Sequence, residues 1–305
     1  MLSRRVFLLQ SSALLAQDVT FSSGVNVVNL LATVRNKKGE LVQSLSQEDF
    51  LLAETGKLQK IAYFSQQTDL PLRLGLLVDT SMSQEKVIPA ERAAAYRFLD
   101  QVLRESLDKI FLIQFDSLAR VRLGFSNSRA QLENILNDID TPTRKELLAS
   151  GGSGTALFDA IASGAELMKK EPGRKALIVL SDGVDSSSDQ TLPSAIEAAL
   201  RADTLLYTIF FTDPGFYSLS FGAPNGRAVM SRLAKETGGG FFEVTKKLSI
   251  DQIFTAIEQE LRSQYSIGYV SDIPVGYPAF RKIQLTTKEK GMIVQTRDGY
   301  WPKRP

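Results

Sequence analysis

The sequence predicts an α/β fold: a doubly wound, mostly parallel sheet flanked by helices, inserted into a small β-sandwich-like domain. Between residues 70 and 264, near-continuous apolar runs alternate with helical stretches, which is the pattern of parallel strands covered on both faces. Before and after this region the sequence has only short strand-like runs. Because two isolated β segments would each be marginal alone, we expect residues 18–69 and 265–305 to pair with each other.

The strands and helices of the central region can be assigned in order. Its strand-like runs are LRLGLLV, KIFLIQF, RVRLGF, KALIVLS, TLLYTIFFT and GFFEV, and its helical stretches include residues 90–107, 129–139, 156–169 and 250–261. Only residues 116–119 separate KIFLIQF from RVRLGF. Because so short a connection cannot make a parallel crossover, we expect this pair to be antiparallel, at one edge of the sheet.

The two terminal regions have the same strand-like texture. The runs are VNVVNLLATV, DFLL and KIAYF before the central region, and YSIGYV, FRKIQLTT and MIVQTR after it. A shared sandwich formed by both ends is the expectation, and two unrelated appendages are the alternative.

The composition excludes several classes of function. The 305 residues include no cysteine and no histidine, which removes thiol nucleophiles, disulfides, serine-histidine machinery and the usual zinc ligands. The net charge of +2 is nearly balanced and the basic residues form no stripe, so we expect no nucleic-acid partner. We also expect no transmembrane segment, because no stretch after residue 17 approaches the length that spans a bilayer.

Residues 1–17 have the composition of an export signal. Arg4 and Arg5 precede an apolar stretch from Val6 to Ala16, and SRRVFL resembles the twin-arginine signal. We therefore expect an exported protein, periplasmic or secreted. Polar residues at positions 10–12 interrupt the stretch, and the alternative is a cytoplasmic protein whose first helix has a chance arginine pair.

Oxygen-bearing side chains follow three of the predicted elements. Asp79, Ser81 and Ser83 lie in DTSMS after the first central strand, Thr155 lies in GGSGTALFDA before a helix, and Asp182 lies in LIVLSDGVD at the end of another strand. Loops at the carboxyl ends of parallel strands converge at one edge of such a sheet. The sequence therefore predicts that these five residues meet and form a metal site.

The chemistry of the five side chains indicates a hard divalent cation. Mg²⁺ takes about six oxygen ligands near 2.0–2.1 Å and usually keeps some positions for water or an outside ligand. Two carboxylates and three hydroxyls are too few for a closed cage, so the predicted site is open. Mg²⁺ is the expected ion, and Mn²⁺ or Ca²⁺ fits the same ligand types.

Each piece of this pattern also has a simpler structural explanation. A serine or threonine after a strand is often a helix cap, which applies to Ser81, Ser83 and Thr155. An Asp-Gly pair such as Asp182-Gly183 is often a turn. The combination of all three stretches favours the metal site.

These residues resemble the metal-ion-dependent adhesion site (MIDAS) of von Willebrand factor type A (VWA) domains. The resemblance covers about residues 70–264 and implies the Rossmann-like VWA fold, with Asp79, Ser81, Ser83, Thr155 and Asp182 at the liganding positions. It also implies that an acidic side chain of a partner completes the coordination. Outside that region, LSQEDF, RSQYSIGY and RDGY resemble bacterial, acidobacterial VWFA-related domain proteins.

Two functions from different classes follow. The first is a non-enzymatic adhesion or protein-binding module that coordinates an acidic group of a protein or matrix ligand through the bound cation. The alternative is a metal-dependent phosphatase or hydrolase that uses Asp79 and the metal. The residues of these motifs favour the binding module. DTSMS has Ser81 where a phosphatase needs a second acid, and neither DTSMS nor SDG has a basic residue to hold a phosphoryl group. The sequence does not fix the oligomeric state.

Overall fold

The computed structural model describes residues 27–66, 70–143, 145–146, 152, 154–211, 225–274 and 279–302. The predicted export signal at residues 1–17 lies outside the described residues. In the part of the chain that is described, no helix is both long and apolar enough to cross a membrane.

A six-stranded sheet lies at the centre of the molecule. In spatial order its strands are β10 (Phe241–Glu243), β9 (Thr204–Phe210), β8 (Arg174–Ser181), β5 (Leu72–Asp79), β6 (Lys109–Phe115) and β7 (Ala119–Ser126). All neighbours are parallel except β7, which pairs antiparallel with β6 at the edge. The predicted α/β fold class and the antiparallel edge hairpin are both confirmed.

Helices cover both faces of this sheet. The helices are α1 (Ile88–Val102), α2 (Arg129–Asn137), α3 (Leu157–Met168), α4 (Leu192–Arg201), α5 (Gly226–Thr237) and α6 (Ile250–Ser263). The apolar sides of α1, α2 and α6 pack on one face, and those of α3, α4 and α5 pack on the other. Successive side chains of a strand point to opposite faces of the sheet, and here helices cover both faces. Every residue of Leu72–Asp79 is therefore buried, and most of them are apolar.

Helix α1 ends earlier than the sequence pattern predicts. The helical pattern predicts residues 90–107, whereas α1 ends at Val102 and Leu103 is extended. The carboxylate of Asp108 accepts hydrogen bonds from the backbone N–H of Arg104 (3.0 Å) and of Leu72 (2.8 Å). These contacts hold the chain in a turn at the start of the sheet. The spacing of apolar residues cannot predict them.

Two four-stranded sheets form the second unit of the molecule. One has the order β13 (Ile293–Gln295), β1 (Val27–Arg35), β11 (Tyr265–Val270), β4 (Ile61–Ser65), and the other has β14 (Gly299–Tyr300), β12 (Arg281–Thr287), β2 (Phe50–Glu54), β3 (Lys57–Gln59). Their facing side chains share one apolar core. Each sheet combines strands from both ends of the chain, as the sandwich prediction requires, while the domain boundaries at 18–69, 70–264 and 265–305 stay a prediction.

Buried and half-buried charged contacts join the two units. Helix α6 runs into β11 through Gln264 alone, and Glu260 on that helix pairs with Arg35 of β1. The guanidinium of Arg297 donates to the carboxylate of Asp203 (2.7 Å) and to the carbonyl of Asn29 (2.8 Å). Contacts of this kind fix the orientation of the α/β unit on the sandwich.

Candidate metal centre

Asp79 is the last residue of β5 and lies inside the protein. Because β5 pairs in parallel with both β6 and β8, the ends of these three strands lie side by side at one edge. The Asp79 side chain is 0% exposed. One of its carboxylate oxygens accepts from the backbone N–H of Ser81 (2.9 Å) and the other from the hydroxyl of Ser181 (2.6 Å), the last residue of β8.

Ser81, Ser83 and Asp182 form a continuous chain of polar contacts beside Asp79. The hydroxyl oxygens of Ser81 and Ser83 are 3.1 Å apart, and the Ser83 hydroxyl donates to Oδ2 of Asp182 at 2.6 Å. Residues that are about 100 positions apart in the sequence therefore meet at the carboxyl edge of the sheet. The structure brings together four of the five predicted residues.

Thr155 lies on the same edge, in the segment before α3. Its N–H donates to the Ser186 hydroxyl (3.0 Å), and its carbonyl accepts from the N–H groups of Ser186 (2.9 Å) and Ser187 (3.2 Å). The next residue, Ala156, donates to the carbonyl of Asp116 (2.7 Å), which directly follows β6. The hydrogen bonds that hold Thr155 at this edge are made by its backbone.

The capping explanation does not account for the hydroxyl residues. Ser81 precedes a 3-10 turn at Met82–Gln84, but its side chain makes no capping hydrogen bond. The residue at the N-cap of α3 is Ala156 rather than Thr155. The turn explanation does apply to Asp182, whose Oδ1 accepts from the N–H of Val184 (3.1 Å), while its Oδ2 is the oxygen that contacts Ser83.

Gly183 holds this turn in place. Its φ is +73°, in the region that favours glycine, and a Cβ there would lie 2.3 Å from the carbonyl oxygen of Gly226 at the start of α5. The loop that follows Asp182 is therefore packed directly against α5. This packing fixes where the Asp182 carboxylate lies.

The site concentrates acidic groups in a place with little solvent. Burial, and next the charge of Asp182, raise the pKa of Asp79 to about 7. Glu91 in the first turn of α1 is 1% exposed, and burial followed by the charges of Asp79 and Asp182 raises the pKa of its carboxyl well above its ordinary value. Burial and mutual repulsion therefore oppose the simultaneous ionisation of these acids.

The residues present fit a divalent cation. Every predicted ligand offers oxygen, which suits Mg²⁺, Mn²⁺ or Ca²⁺. The two carboxylate oxygens of Glu91 are buried and have no hydrogen-bond partner among the described residues. A divalent positive charge beside Asp79 and Asp182 would offset the repulsion that these acids exert on one another.

The raised pKa of Asp79 predicts how the stability of the metal-free protein depends on pH. In the folded protein this carboxyl keeps a proton that the unfolded chain releases above about pH 4. We therefore expect Asp79 to make the fold less stable as pH rises from about 4 to about 7. Urea unfolding in EDTA, compared between wild type and Asp79→Asn across this range, should show the variant gaining stability relative to wild type with rising pH. A constant difference would contradict the prediction.

Two residues of the site are missing from the sequence prediction. Ser181 donates to Asp79 and also accepts from the N–H of Gly183 (3.0 Å), so it connects Asp79 with the turn at Asp182 and Gly183. Glu91 occupies a position that the helical pattern assigns to the buried face, since Ala94, Ala95 and Phe98 at spacings of 3, 4 and 7 are all buried. An acidic residue on that face is the signal that could have revealed it.

The sequence of the site region matches a known family. Residues 74–184 match the profile of the von Willebrand factor type A domain. This segment is a von Willebrand factor type A domain. No curated protein matches the chain.

Solved structures with a similar fold include a VWA protein and a protein with a MIDAS motif. A von Willebrand factor type A protein from Catenulispora acidiphila is 13% identical, with 93% of this chain and 75% of that chain covered and a TM-score of 0.50. Proximal thread matrix protein 1 from the mussel byssus, with a zinc-occupied MIDAS motif, is 12% identical, with coverages of 69% and 50% and a TM-score of 0.50. BatB from Bacteroides thetaiotaomicron is 17% identical, with coverages of 62% and 97% and a TM-score of 0.47. At these identities the first two matches show the fold alone.

Proposed function

We propose that the VWA domain is a non-catalytic binding module that presents a divalent cation to an acidic group of a protein or matrix partner. Asp79, Ser81, Ser83, Thr155 and Asp182 are the proposed ligands, with Mg²⁺ as the expected ion and Mn²⁺ or Ca²⁺ as the alternatives. The observation that carries the proposal is the chain of contacts from Ser81 through Ser83 to Asp182, next to the buried Asp79. The zinc-occupied MIDAS motif of the mussel byssus protein is consistent with it.

The arrangement of these side chains supports binding rather than catalysis. Both carboxylate oxygens of Asp79 accept hydrogen bonds and the side chain is inaccessible, so it is not presented to a phosphate as a nucleophile. The sequence supplies no histidine as a general base. A bound cation would supply a strong charge-assisted contact to a carboxylate of the partner, and the protein side chains would hold that cation at a fixed place on the surface.

The proposal extends to the location of the protein. An exported protein, periplasmic or secreted, would meet a partner or matrix outside the cytoplasm. The support for export is the arginine pair and apolar stretch of residues 1–17. Cell fractionation of the full chain, and of an Arg4→Lys, Arg5→Lys variant, would test it.

Calorimetric titration tests the metal site. We expect metal-free protein to bind one Mn²⁺ or Mg²⁺ per chain. The matched control is Asp185→Asn, because the Asp185 carboxylate accepts from the N–H of Phe158 and the hydroxyl of Ser188 and is not a proposed ligand. The control should bind as wild type does. Absence of binding in wild type would refute the proposal.

Two further measurements separate the binding module from the enzyme. An NMR titration of the Mg²⁺-loaded protein with a capped glutamate peptide should shift resonances of DTSMS, and a capped glutamine peptide or added EDTA should abolish the effect. Hydrolysis of p-nitrophenyl phosphate that is lost in Asp79→Asn would instead support the phosphatase alternative.

A further inference from the structure

Glu91 is an acidic residue at a position that the fold makes part of the core. It lies on the inward face of α1, one and two turns before the buried residues Ala94, Ala95 and Phe98. Its side chain is 1% exposed. A buried carboxyl group without a partner destabilises a fold whether it stays ionised or takes up a proton, so its presence here needs an explanation.

The surrounding protein offers Glu91 no such partner. Neither Oε1 nor Oε2 has a hydrogen-bond partner among the described residues. A cavity of about 10 Å³ lies beside it, close to the least volume that admits one water molecule. Its walls are apolar apart from Glu91 and Arg92, and the guanidinium of Arg92 donates to the carbonyl of Ile139.

The acidic neighbours of Glu91 lie in the proposed metal site. The cavity is bounded by Val78 and Leu180, the residues that immediately precede Asp79 and Ser181, so the Glu91 side chain lies next to the ends of β5 and β8. The charges of Asp79 and Asp182 both act on its carboxyl group. Three acidic side chains from α1, β5 and the end of β8 are therefore grouped on the inner side of this edge.

Glu91 is not a direct ligand in this arrangement. Among the described residues, no three acidic side chains are close enough together to hold one ion between them. A carboxylate just outside the ligands can still orient them or the water between them, and such groups strongly affect metal affinity.

We infer that Glu91 is a positioning residue of the metal centre, a third acidic group that acts on the bound cation from outside the ring of direct ligands. This inference rests on the proposed function, because it presupposes that a cation binds. A bound cation favours the ionised form of Glu91, which then adds one negative charge to those of Asp79 and Asp182. A site with three acidic groups favours ions of higher charge, since attraction to a fixed negative charge scales with the charge of the ion.

The test is Glu91→Gln, which keeps the shape of the side chain and removes its charge. We expect calorimetry at pH 8 to show about tenfold weaker binding of Mn²⁺ and a larger loss for Tb³⁺. The thermal midpoint in EDTA should not fall, because the variant removes a buried unpaired acid. A merely structural role, including a water-mediated pairing with Arg92, would lower that midpoint and would not weaken Tb³⁺ more than Mn²⁺.

The matched control is Glu54→Gln in the sandwich. Glu54 is equally buried, but its carboxylate accepts from the hydroxyls of Ser271 and Tyr300, both at 2.6 Å. This variant should lower the midpoint in EDTA and leave metal affinity unchanged. One outcome would overturn this inference alone: wild type binds metal, Asp182→Asn does not, and Glu91→Gln binds Mn²⁺ and Tb³⁺ as tightly as wild type. Absence of metal binding in wild type would overturn the proposed function as well.

Discussion

Asp182→Asn is expected to abolish metal binding while leaving the fold intact. Removing a group outside the direct ligands of a metal typically costs 10–100-fold in affinity, so loss of a ligand carboxylate should cost at least about a hundredfold. The side-chain oxygen of the asparagine can still accept from the N–H of Val184, as Oδ1 of Asp182 does at 3.1 Å. The turn should therefore persist, and calorimetric titration with Mn²⁺ measures the loss.

The same variant should make the metal-free protein more stable. Burial is the main cause of the raised pKa of Asp79 and of Glu91, and the charge of Asp182 adds to it, so removing that charge relieves repulsion within a buried group of acids. We expect a higher thermal midpoint than wild type in EDTA and a lower one in saturating Mg²⁺, where wild type gains the stabilisation of the bound ion. A variant that binds Mn²⁺ like wild type would contradict the assignment of Asp182 as a ligand, and a midpoint that falls in EDTA would contradict the repulsion between the acids.

Asp108→Ala is expected to cause the largest loss of stability. The Asp108 carboxylate is buried and accepts from the guanidinium of Arg262 at 2.5 Å, from the N–H of Leu72 and from the N–H of Arg104. Removing one partner of a buried ion pair leaves the other charge uncompensated, which costs about 3–5 kcal/mol. Because Arg262 lies in the last turn of α6, the variant should also loosen that helix from the start of β5.

Urea unfolding at equilibrium would measure this loss, and an exposed ion pair supplies the control. Arg97 and Asp251 form a solvent-exposed pair with two contacts, at 2.6 and 2.9 Å. Asp251→Ala should leave the unfolding midpoint almost unchanged, because exposed pairs contribute little. Equal effects of Asp108→Ala and Asp251→Ala would show that the buried pair is not a principal support of the fold.

The parts of the structure that depend on local pattern could be predicted from the sequence. The runs KIFLIQF and YSIGYV coincide with β6 and β11. Apolar or alternating runs of this length, bounded by polar residues, are typical of strands. The antiparallel β6–β7 hairpin followed from the length of its connection alone. The shared sandwich followed from the weakness of isolated two- or three-stranded sheets.

The parts that depend on distant contacts could not be predicted in this way. Strands β3 and β14 have only three and two residues, so their existence depends on their neighbours rather than on a run of their own. The end of α1 depends on the carboxylate of Asp108. The pattern that placed DTSMS and SDG at one edge does not include Glu91, whose position beside them depends on how α1 packs against the sheet.

The nested arrangement of the two units determines the order in which they can fold. Ser65 of β4 pairs with Ser266 of β11, although about 200 residues lie between them. Closing an unfolded loop of that length would cost about 5 kcal/mol of chain entropy, which a folded α/β unit largely removes by holding its own ends together. In the described chain, β1 and β4 pair only with strands after residue 264. During synthesis these two strands stay unpaired until the strands after residue 264 leave the ribosome, and over that interval they are exposed to pairing with other chains.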